Sequence, residues 1–160
     1  MDRDQALRQQ LVQLIRGGNA HVKADEALDG IPIALRGTRP QGSPYSPWEL
    51  LEHLRIAQWD ILEFSRDAKH KSPKWPEGYW PKSAEPSTFG AWEESVAGFR
   101  SDMDAMCALV EDIHTDLHAS IPGGDGQTLL REALLVADHN AYHVGQLVLV
   151  RRLLGEWNPE

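Results

Sequence analysis

Two histidines with the spacing of a metal site are the feature of this chain most directly linked to chemistry. His139 and His143 stand four residues apart in the sequence VADHNAYHVGQ, residues 136–146, which is otherwise mostly apolar. Residues four apart on an α-helix differ by about 40° in direction, so both imidazoles project from one side of the helix. Two neutral imidazoles at this spacing can bind one divalent metal ion with little backbone strain.

A third histidine lies on the apolar face of another predicted helix. His53, in WELLEHLRIAQWDILEF, shares its helical face with Ala57 and Ile61. Three histidines with an open coordination position are typical of catalytic zinc, whereas structural zinc usually has four protein ligands. The sequence therefore predicts a three-histidine metal site formed by His53, His139 and His143.

Three further polar residues on these helical faces are candidates to assist the site. Asp60 follows His53 by seven residues, or about two turns, and could orient a ligand ring or act as a general base. A salt bridge to another helix is the alternative for Asp60. Glu132 and Gln146 are weaker candidates for the same roles. The candidates for substrate contacts are His21, Trp75, Tyr79, Trp80 and Tyr142.

The other histidines fit a metal site less well. His114 and His118 are also four apart, but the apolar stripe of their predicted helix leaves His114 at its margin and His118 outside it. We expect both in the last turns of that helix, where partly charged imidazoles interact favourably with the helix dipole. His70 lies in a lysine-rich stretch and is expected to be solvated. The single cysteine, Cys107, is expected to be a small core residue.

Four helical segments must position these residues. The first is predicted from about Asp2 to the RGGN sequence of residues 16–19, with a shorter continuation through AHVKADEAL, residues 20–28. Residues 29–47 hold four prolines and three glycines and are predicted to be a loop. These breaks separate the first helical region from the helix that carries His53.

The helix that carries His53 has the clearest start signal in the chain. Ser46 can cap it, Pro47 fits its first position, and Glu49 completes a Ser-x-x-Glu capping box. The apolar spacing then predicts a helix to about Arg66.

Two more helices are predicted in the second half of the chain. Apolar residues at alternating steps of three and four, from Phe89 to Leu117, predict the third helix. The SIPGGDG sequence ends it, and Thr128 can cap the fourth, which is predicted to end before Gly155. The predicted apolar stripe of the fourth helix includes Leu134.

Four helices in a chain of 160 residues predict an all-α fold, a four-helix bundle formed as one domain of residues 1–160. Residues 67–87, between the second and third helices, exceed the length that an antiparallel hairpin needs. The two helices could therefore run parallel, in up-down-down-up order with a crossover. The aromatic residues among the prolines of this segment predict a stiff cover packed on the bundle, with a lid over a pocket as the alternative.

Charge and hydropathy disfavour two classes of partner. The net charge is −8 and the basic residues are scattered, which disfavours nucleic acid. No apolar run approaches the roughly 20 residues that span a membrane, and the N-terminal MDRDQALRQQ does not resemble a signal peptide. With one cysteine, the composition fits a reducing compartment, so we expect a cytoplasmic protein.

Several of these segments also resemble a known family. SPWELLEHLRIAQWDIL and LREALLVADHNAYHVGQLVLVRRLLG resemble the DinB-like superfamily of four-helix metal-binding proteins. GGNAHVKADEALDGIP and SPKWPEGYWP resemble a bacterial branch of it, so the resemblance covers most of the chain. It implies an up-down-down-up bundle, commonly a homodimer, with a divalent metal ion bound by His53, His139 and His143.

The resemblance does not determine the reaction. Some relatives are similar to thiol S-transferases or maleylpyruvate isomerases that use small thiol cofactors, and others suggest metal-dependent hydrolysis. We therefore expect a metal-dependent enzyme in which zinc or nickel acidifies a bound water or the thiol of a low-molecular-weight cofactor. The alternatives are a non-catalytic stress-response bundle that binds metal or a small ligand, and an interaction scaffold with a vestigial site.

Overall fold

Five helices make up most of the chain in the computed structural model, which describes residues 2–157. They are α1 (Arg3–Arg16), α2 (Ala24–Leu28), α3 (Pro47–Arg66), α4 (Ala91–Glu111) and α5 (Leu129–Leu153). No strand occurs within residues 2–157, which confirms the predicted all-α class. The predicted domain, residues 1–160, extends beyond the described residues at both ends. None of the described helices combines the length and hydropathy required to cross a membrane.

The predicted helix starts are confirmed where capping residues are present. At α3, the Ser46 hydroxyl accepts a hydrogen bond from the backbone N–H of Glu49 at 3.2 Å. The Glu49 carboxylate accepts one from the backbone N–H of Ser46 at 2.9 Å. Pro47 is the first residue of α3 and Arg66 its last, as predicted. Thr128 caps α5 with its side chain, also as predicted.

Helix α4 is shorter than the apolar spacing predicts. Phe89 and Ile113 fit the three-and-four spacing, yet they lie outside the helix and are 88% and 77% exposed. The spacing therefore continues into both flanking loops without forming helix. His114 and His118 lie in turns beyond Glu111, and not in the last turns of the helix as predicted. Both side chains are exposed.

A buried arginine of α1 satisfies the backbone at the end of α4. The Arg8 guanidinium donates hydrogen bonds to the backbone carbonyls of Val110, Asp112 and Thr115 at 2.8–2.9 Å. The last carbonyls of a helix have no partner within the helix, and the planar fork of an arginine can satisfy several of them at once. This contact lets the chain leave the helix at Asp112 without burying unpaired carbonyls.

The core consists of two apolar clusters between the long helices. Both α1 and α3 pack against α4 and α5. One cluster includes Leu50, Leu51, Leu54, Trp92, Phe99 and Leu147, and the other includes Leu11, Ile15, Leu62, Met106, Val110 and Val136. Full burial of each such side chain stabilises the fold by about 1.5–3 kcal/mol. Cys107 is buried in the second cluster as expected, whereas Leu134, predicted to face the core, is 45% exposed.

The segment between α3 and α4, residues 67–87, lies against α3. The Tyr79 hydroxyl donates a hydrogen bond to Asp60 Oδ2 at 2.6 Å. Further along the chain, the carbonyl of Ala84 accepts a hydrogen bond from the Ser46 hydroxyl at 2.5 Å. The segment is therefore attached both to the second turn from the end of α3 and to its N-cap.

His70 belongs to this attachment, and the expectation that it is solvated was wrong. Its Nε2 lies 2.7 Å from Asp60 Oδ1, and its side chain is 8% exposed. Trp59 packs edge-on against the imidazole, with 5.2 Å between the ring centroids. The lysines around His70 indicated solvent, but its contact with a buried carboxylate of α3 is not visible in the local sequence.

Candidate metal centre

The three predicted histidines meet between α3 and α5. His53 lies in the second turn of α3, and His139 and His143 lie in the middle of α5. Nε2 of His53 is 3.1 Å from Nε2 of His143 and 3.1 Å from Nε2 of His139. Zinc–nitrogen bonds of about 2.0–2.1 Å in tetrahedral geometry place two ligand nitrogens about 3.3–3.4 Å apart. The three rings can therefore converge on one ion with little movement.

Two of these rings are held with the proton on the nitrogen that faces away from the cluster. Nδ1 of His53 is 2.8 Å from the carbonyl oxygen of Tyr79, which can only accept, so Nδ1 carries the proton. Nδ1 of His143 donates to Oε1 of Gln146 at 2.7 Å. The unprotonated Nε2 atoms of His53 and His143 then face each other at 3.1 Å. A cation between these lone pairs would relieve their repulsion.

The buried environment favours neutral imidazoles at all three positions. Burial lowers the pKa of His53, and the hydrogen bond to Tyr79 opposes this effect. The pKa values of His139 and His143 fall from 6.5 to about 4, mainly because of burial and secondly because the neighbouring imidazoles repel added positive charge. The neutral imidazole is the form that binds a metal ion, so these residues are available as ligands near neutral pH.

Aromatic rings enclose part of the cluster. The Trp80 ring is parallel to the His53 imidazole with 3.9 Å between centroids, and Tyr45 stacks on Trp80 at 4.4 Å. Tyr142 meets the His143 ring edge-on at 4.9 Å and is 65% exposed. The stacked rings fix the plane of His53, while Tyr142 lies on the solvent side of the cluster.

Asp60 is connected to the cluster through Tyr79. Both carboxylate oxygens of this buried residue already have partners, namely the Tyr79 hydroxyl and His70. Burial and the hydrogen bond to Asp60 raise the pKa of Tyr79 to about 12, so its hydroxyl stays protonated at neutral pH. Asp60 thus holds the residue whose carbonyl orients His53.

The remaining candidates lie outside the three-histidine cluster. Glu132 is buried, and its carboxylate accepts a hydrogen bond from the Arg131 guanidinium at 2.7 Å. His21 is exposed, and its Nδ1 is 2.8 Å from the carbonyl of the next residue. Trp75 is 69% exposed and packs against the Tyr79 ring. Gln146 is the one of the three assisting candidates that contacts an imidazole of the cluster directly.

A buried pair of amide side chains next to the histidines was not predicted. Asn140 Nδ2 donates a hydrogen bond to Gln58 Oε1 at 2.8 Å, and Gln58 Nε2 donates one to the carbonyl of Phe99 at 2.6 Å. Gln58 and Asn140 are polar residues at inward positions of otherwise apolar helical faces. That position is the signal that could have identified them.

Comparison with known proteins identifies the family. A family model described as the DinB superfamily matches residues 18–147, a range that contains all three histidines. Searches of curated proteins and of solved structures give no match. The matched range covers most of the chain and confirms the resemblance seen in the sequence. The chain belongs to the DinB superfamily.

Proposed function

We propose that the protein binds one divalent metal ion through His53, His139 and His143. The observation that carries this proposal is the convergence of three Nε2 atoms, two of which have lone pairs directed at each other at 3.1 Å. Three imidazoles suit zinc and nickel, the metals we propose, as well as copper and iron. A metal ion bound there would acidify a water molecule or a thiol at an open coordination position.

The protein side chains would then orient and shield the site. Tyr79 and Gln146 direct the Nε2 lone pairs of their partner histidines inward, and Trp80 covers one face of His53. Asp60 is already paired twice, so we assign it to holding the 67–87 segment in place and not to proton transfer. The nucleophile is therefore assigned to the acidified water or thiol.

We propose that the reaction is either a thiol-dependent S-transfer, with a low-molecular-weight thiol as co-substrate, or a hydrolysis. Membership of the family supports a metal-dependent enzyme, and the exposed Tyr142 beside His143 offers a contact for a small molecule. A non-catalytic bundle that binds metal or a small ligand is the alternative. It is favoured by the close packing of Trp80 on the His53 ring, which covers one face of that imidazole.

Activity assays on metal-loaded protein distinguish these reactions. Untagged protein would be loaded with Zn²⁺ or Ni²⁺ and assayed with activated esters alone, and with electrophiles plus low-molecular-weight thiols. Turnover of esters alone indicates a hydrolase, and turnover that requires the thiol indicates a transferase. Either activity should be lost in His143→Ala and retained in His114→Ala, whose histidine is exposed and outside the cluster. Metal binding with neither activity would favour the non-catalytic alternative.

We also propose that the long helices form an up-down-down-up four-helix bundle with residues 67–87 as the crossover. Two contacts between α3 and α4 support parallel helices, because the residue numbers rise together. Ser95 donates to Glu52 at 2.5 Å, and Gln58 donates to the Phe99 carbonyl at 2.6 Å. The attachment of the 67–87 segment to the N-cap of α3 supports a crossover that returns along this helix.

We propose that the protein is cytoplasmic and forms a homodimer. The exposed face of α5 supports the dimer. This face carries Leu134, Tyr142, Leu149 and Leu153, each at least 45% exposed. Together with Gly145 they lie within an arc of about 100° on the helix. Exposed apolar patches often mark interaction surfaces, and one helix face can pair with its own copy about a two-fold axis. Small molecules, and not nucleic acid or membranes, are the other partners we propose.

A further inference from the structure

Two hydrogen bonds fix the orientation of the amide side chains that connect α4 to the histidine cluster. The Phe99 carbonyl can only accept, so the Gln58 group facing it must be Nε2, at 2.6 Å. Gln58 therefore presents Oε1 to Asn140, whose Nδ2 donates to it at 2.8 Å. This leaves Asn140 Oδ1 as an acceptor without a donor.

Two adjacent residues each have a buried polar atom without a hydrogen-bond partner among residues 2–157. These atoms are Asn140 Oδ1 and His139 Nδ1. Buried polar atoms in proteins are nearly always paired, and an acceptor beside a ring nitrogen that can carry a proton is a complementary pair.

The other two histidines, His53 and His143, show how a hydrogen-bond partner of His139 Nδ1 would orient its imidazole ring. In His53 and His143, a hydrogen bond from Nδ1 to a fixed oxygen directs the Nε2 lone pair into the cluster. We propose that Asn140 is the positioning residue for His139, with Oδ1 accepting a hydrogen bond from Nδ1–H when Nε2 binds the metal ion. Gln58 acts through Asn140 by holding its amide in the required orientation. This inference rests on the proposed metal binding.

Each ligand ring would then be oriented by its own oxygen atom, one from the 67–87 segment and two from α5. Tyr79 of the 67–87 segment orients His53, and Gln146 of α5 orients His143. His139 would be oriented from the backbone of α4, a helix that supplies none of the three histidines, through Gln58 and Asn140. Loss of such a partner typically weakens metal binding by about 10–100-fold.

Zinc affinity measured by competition with a chromophoric chelator tests this role on the full chain. Asn140→Leu should bind Zn²⁺ about 10–100-fold more weakly than the parent, and Gln58→Leu should also bind it more weakly. Asn140→Asp keeps an acceptor oxygen for His139 but cannot donate to Gln58, so its zinc affinity should lie between those of Asn140→Leu and the parent. Ser95→Ala removes a buried polar group of α4 outside this chain of bonds and should leave zinc affinity unchanged. A purely structural role for Asn140 would weaken the Leu and Asp variants alike.

Nitrogen-15 NMR of the zinc-loaded parent gives a second readout that needs no variant. A hydrogen-bonded His139 Nδ1–H should exchange slowly with solvent, and in Asn140→Leu this protection should be lost at His139 but kept at His53 and His143. Fast exchange of the His139 Nδ1 proton in the parent would overturn the role of Asn140. The measurement on the parent is therefore decisive even when the Asn140→Leu variant does not fold.

The outcomes separate this role from the proposed metal site. Zinc binding by Asn140→Leu within about threefold of the parent, in folded protein, would overturn the role of Asn140 alone. A parent protein that binds no zinc would overturn the metal site together with this role.

Discussion

The chemistry of the candidate site depends on which nitrogen of each imidazole carries the proton. Tyr79 and Gln146 settle this for His53 and His143. The histidines themselves could be found from the sequence, because each occupies an inward position of an amphipathic helix. The role of Tyr79 could not, because its contact with His53 is made by a backbone carbonyl, a group that every residue has.

The metal-free protein is expected to lose stability as the pH falls from about 6.5 to about 4. In the unfolded chain a histidine has its usual pKa of 6.5, whereas the folded values for His139 and His143 are about 4. Between these pH values the unfolded state binds more protons, so acidification favours unfolding. With allowance for solvent screening, the loss by pH 4 is on the order of 1–3 kcal/mol for each imidazole.

Urea unfolding of chelator-treated protein at several pH values measures this loss. His143→Ala should show a shallower decline between pH 6.5 and pH 4 than the parent, because one shifted imidazole is gone. Equal declines in the two proteins would contradict the prediction.

Removing the Tyr79 hydroxyl is expected to loosen the 67–87 segment. Tyr79→Phe keeps the ring and the carbonyl but leaves Asp60 Oδ2 without its donor. Loss of a hydrogen bond to a charged group costs about 1.5–3 kcal/mol of unfolding free energy. Urea unfolding and amide hydrogen exchange in residues 70–80 measure the effect. Tyr142→Phe, at an exposed position, is the matched control and should change little; a similar loss in both variants would refute the assignment.

At the scale of helices, local signals were reliable and distant contacts were not predicted. The starts of α3 and α5 follow from capping residues a few positions away in the sequence, and both were predicted correctly. The end of α4 involves Arg8, which lies in α1 and satisfies the last carbonyls. The apolar spacing continues past Glu111 to Ile113, so the helix was predicted too long. Single-sequence patterns do not contain such long-range contacts.

Two helix caps should differ in their contribution to stability. Ser46→Ala removes an N-cap that also donates to the carbonyl of Ala84, whereas Thr128→Ala removes a side chain with a capping bond alone. We expect a loss of about 1–2 kcal/mol for Ser46→Ala and about 0.5–1 kcal/mol for Thr128→Ala. Chemical denaturation monitored by circular dichroism compares them. A larger loss in the Thr128 variant would contradict the structural role given to the Ser46–Ala84 contact.

The whole molecule brings together groups that are far apart in the chain. His53 and His143 are 90 positions apart, yet their Nε2 atoms are 3.1 Å apart because α3 packs against α5. The helical faces predicted from the sequence were enough to propose this meeting. The outward face of α5 could not be separated from its inward face, because Leu134 fits the apolar spacing of the core and is nevertheless exposed.

The proposed dimer should be sensitive to charge on the outward face of α5. Leu149→Glu introduces a carboxylate at a position that is 55% exposed in the single chain, and it should convert a dimer to monomer because burying an unpaired charge is costly. Leu14→Glu, at a 49% exposed leucine of α1, is the matched control and should stay dimeric. Sedimentation analysis at several concentrations measures both. A monomeric parent, or dimers in both variants, would rule out this interface.

Elemental analysis of untagged protein tests the central proposal most directly. The parent is compared with the variants His53→Ala, His143→Ala and His114→Ala, whose folding is checked by circular dichroism. We expect about one divalent ion per chain in the parent and in His114→Ala, because three imidazoles are the ligand set of a single ion. The ion should be lost in the His53 and His143 variants. A parent without metal after reconstitution, or metal retained in both cluster variants, would contradict the three-histidine site.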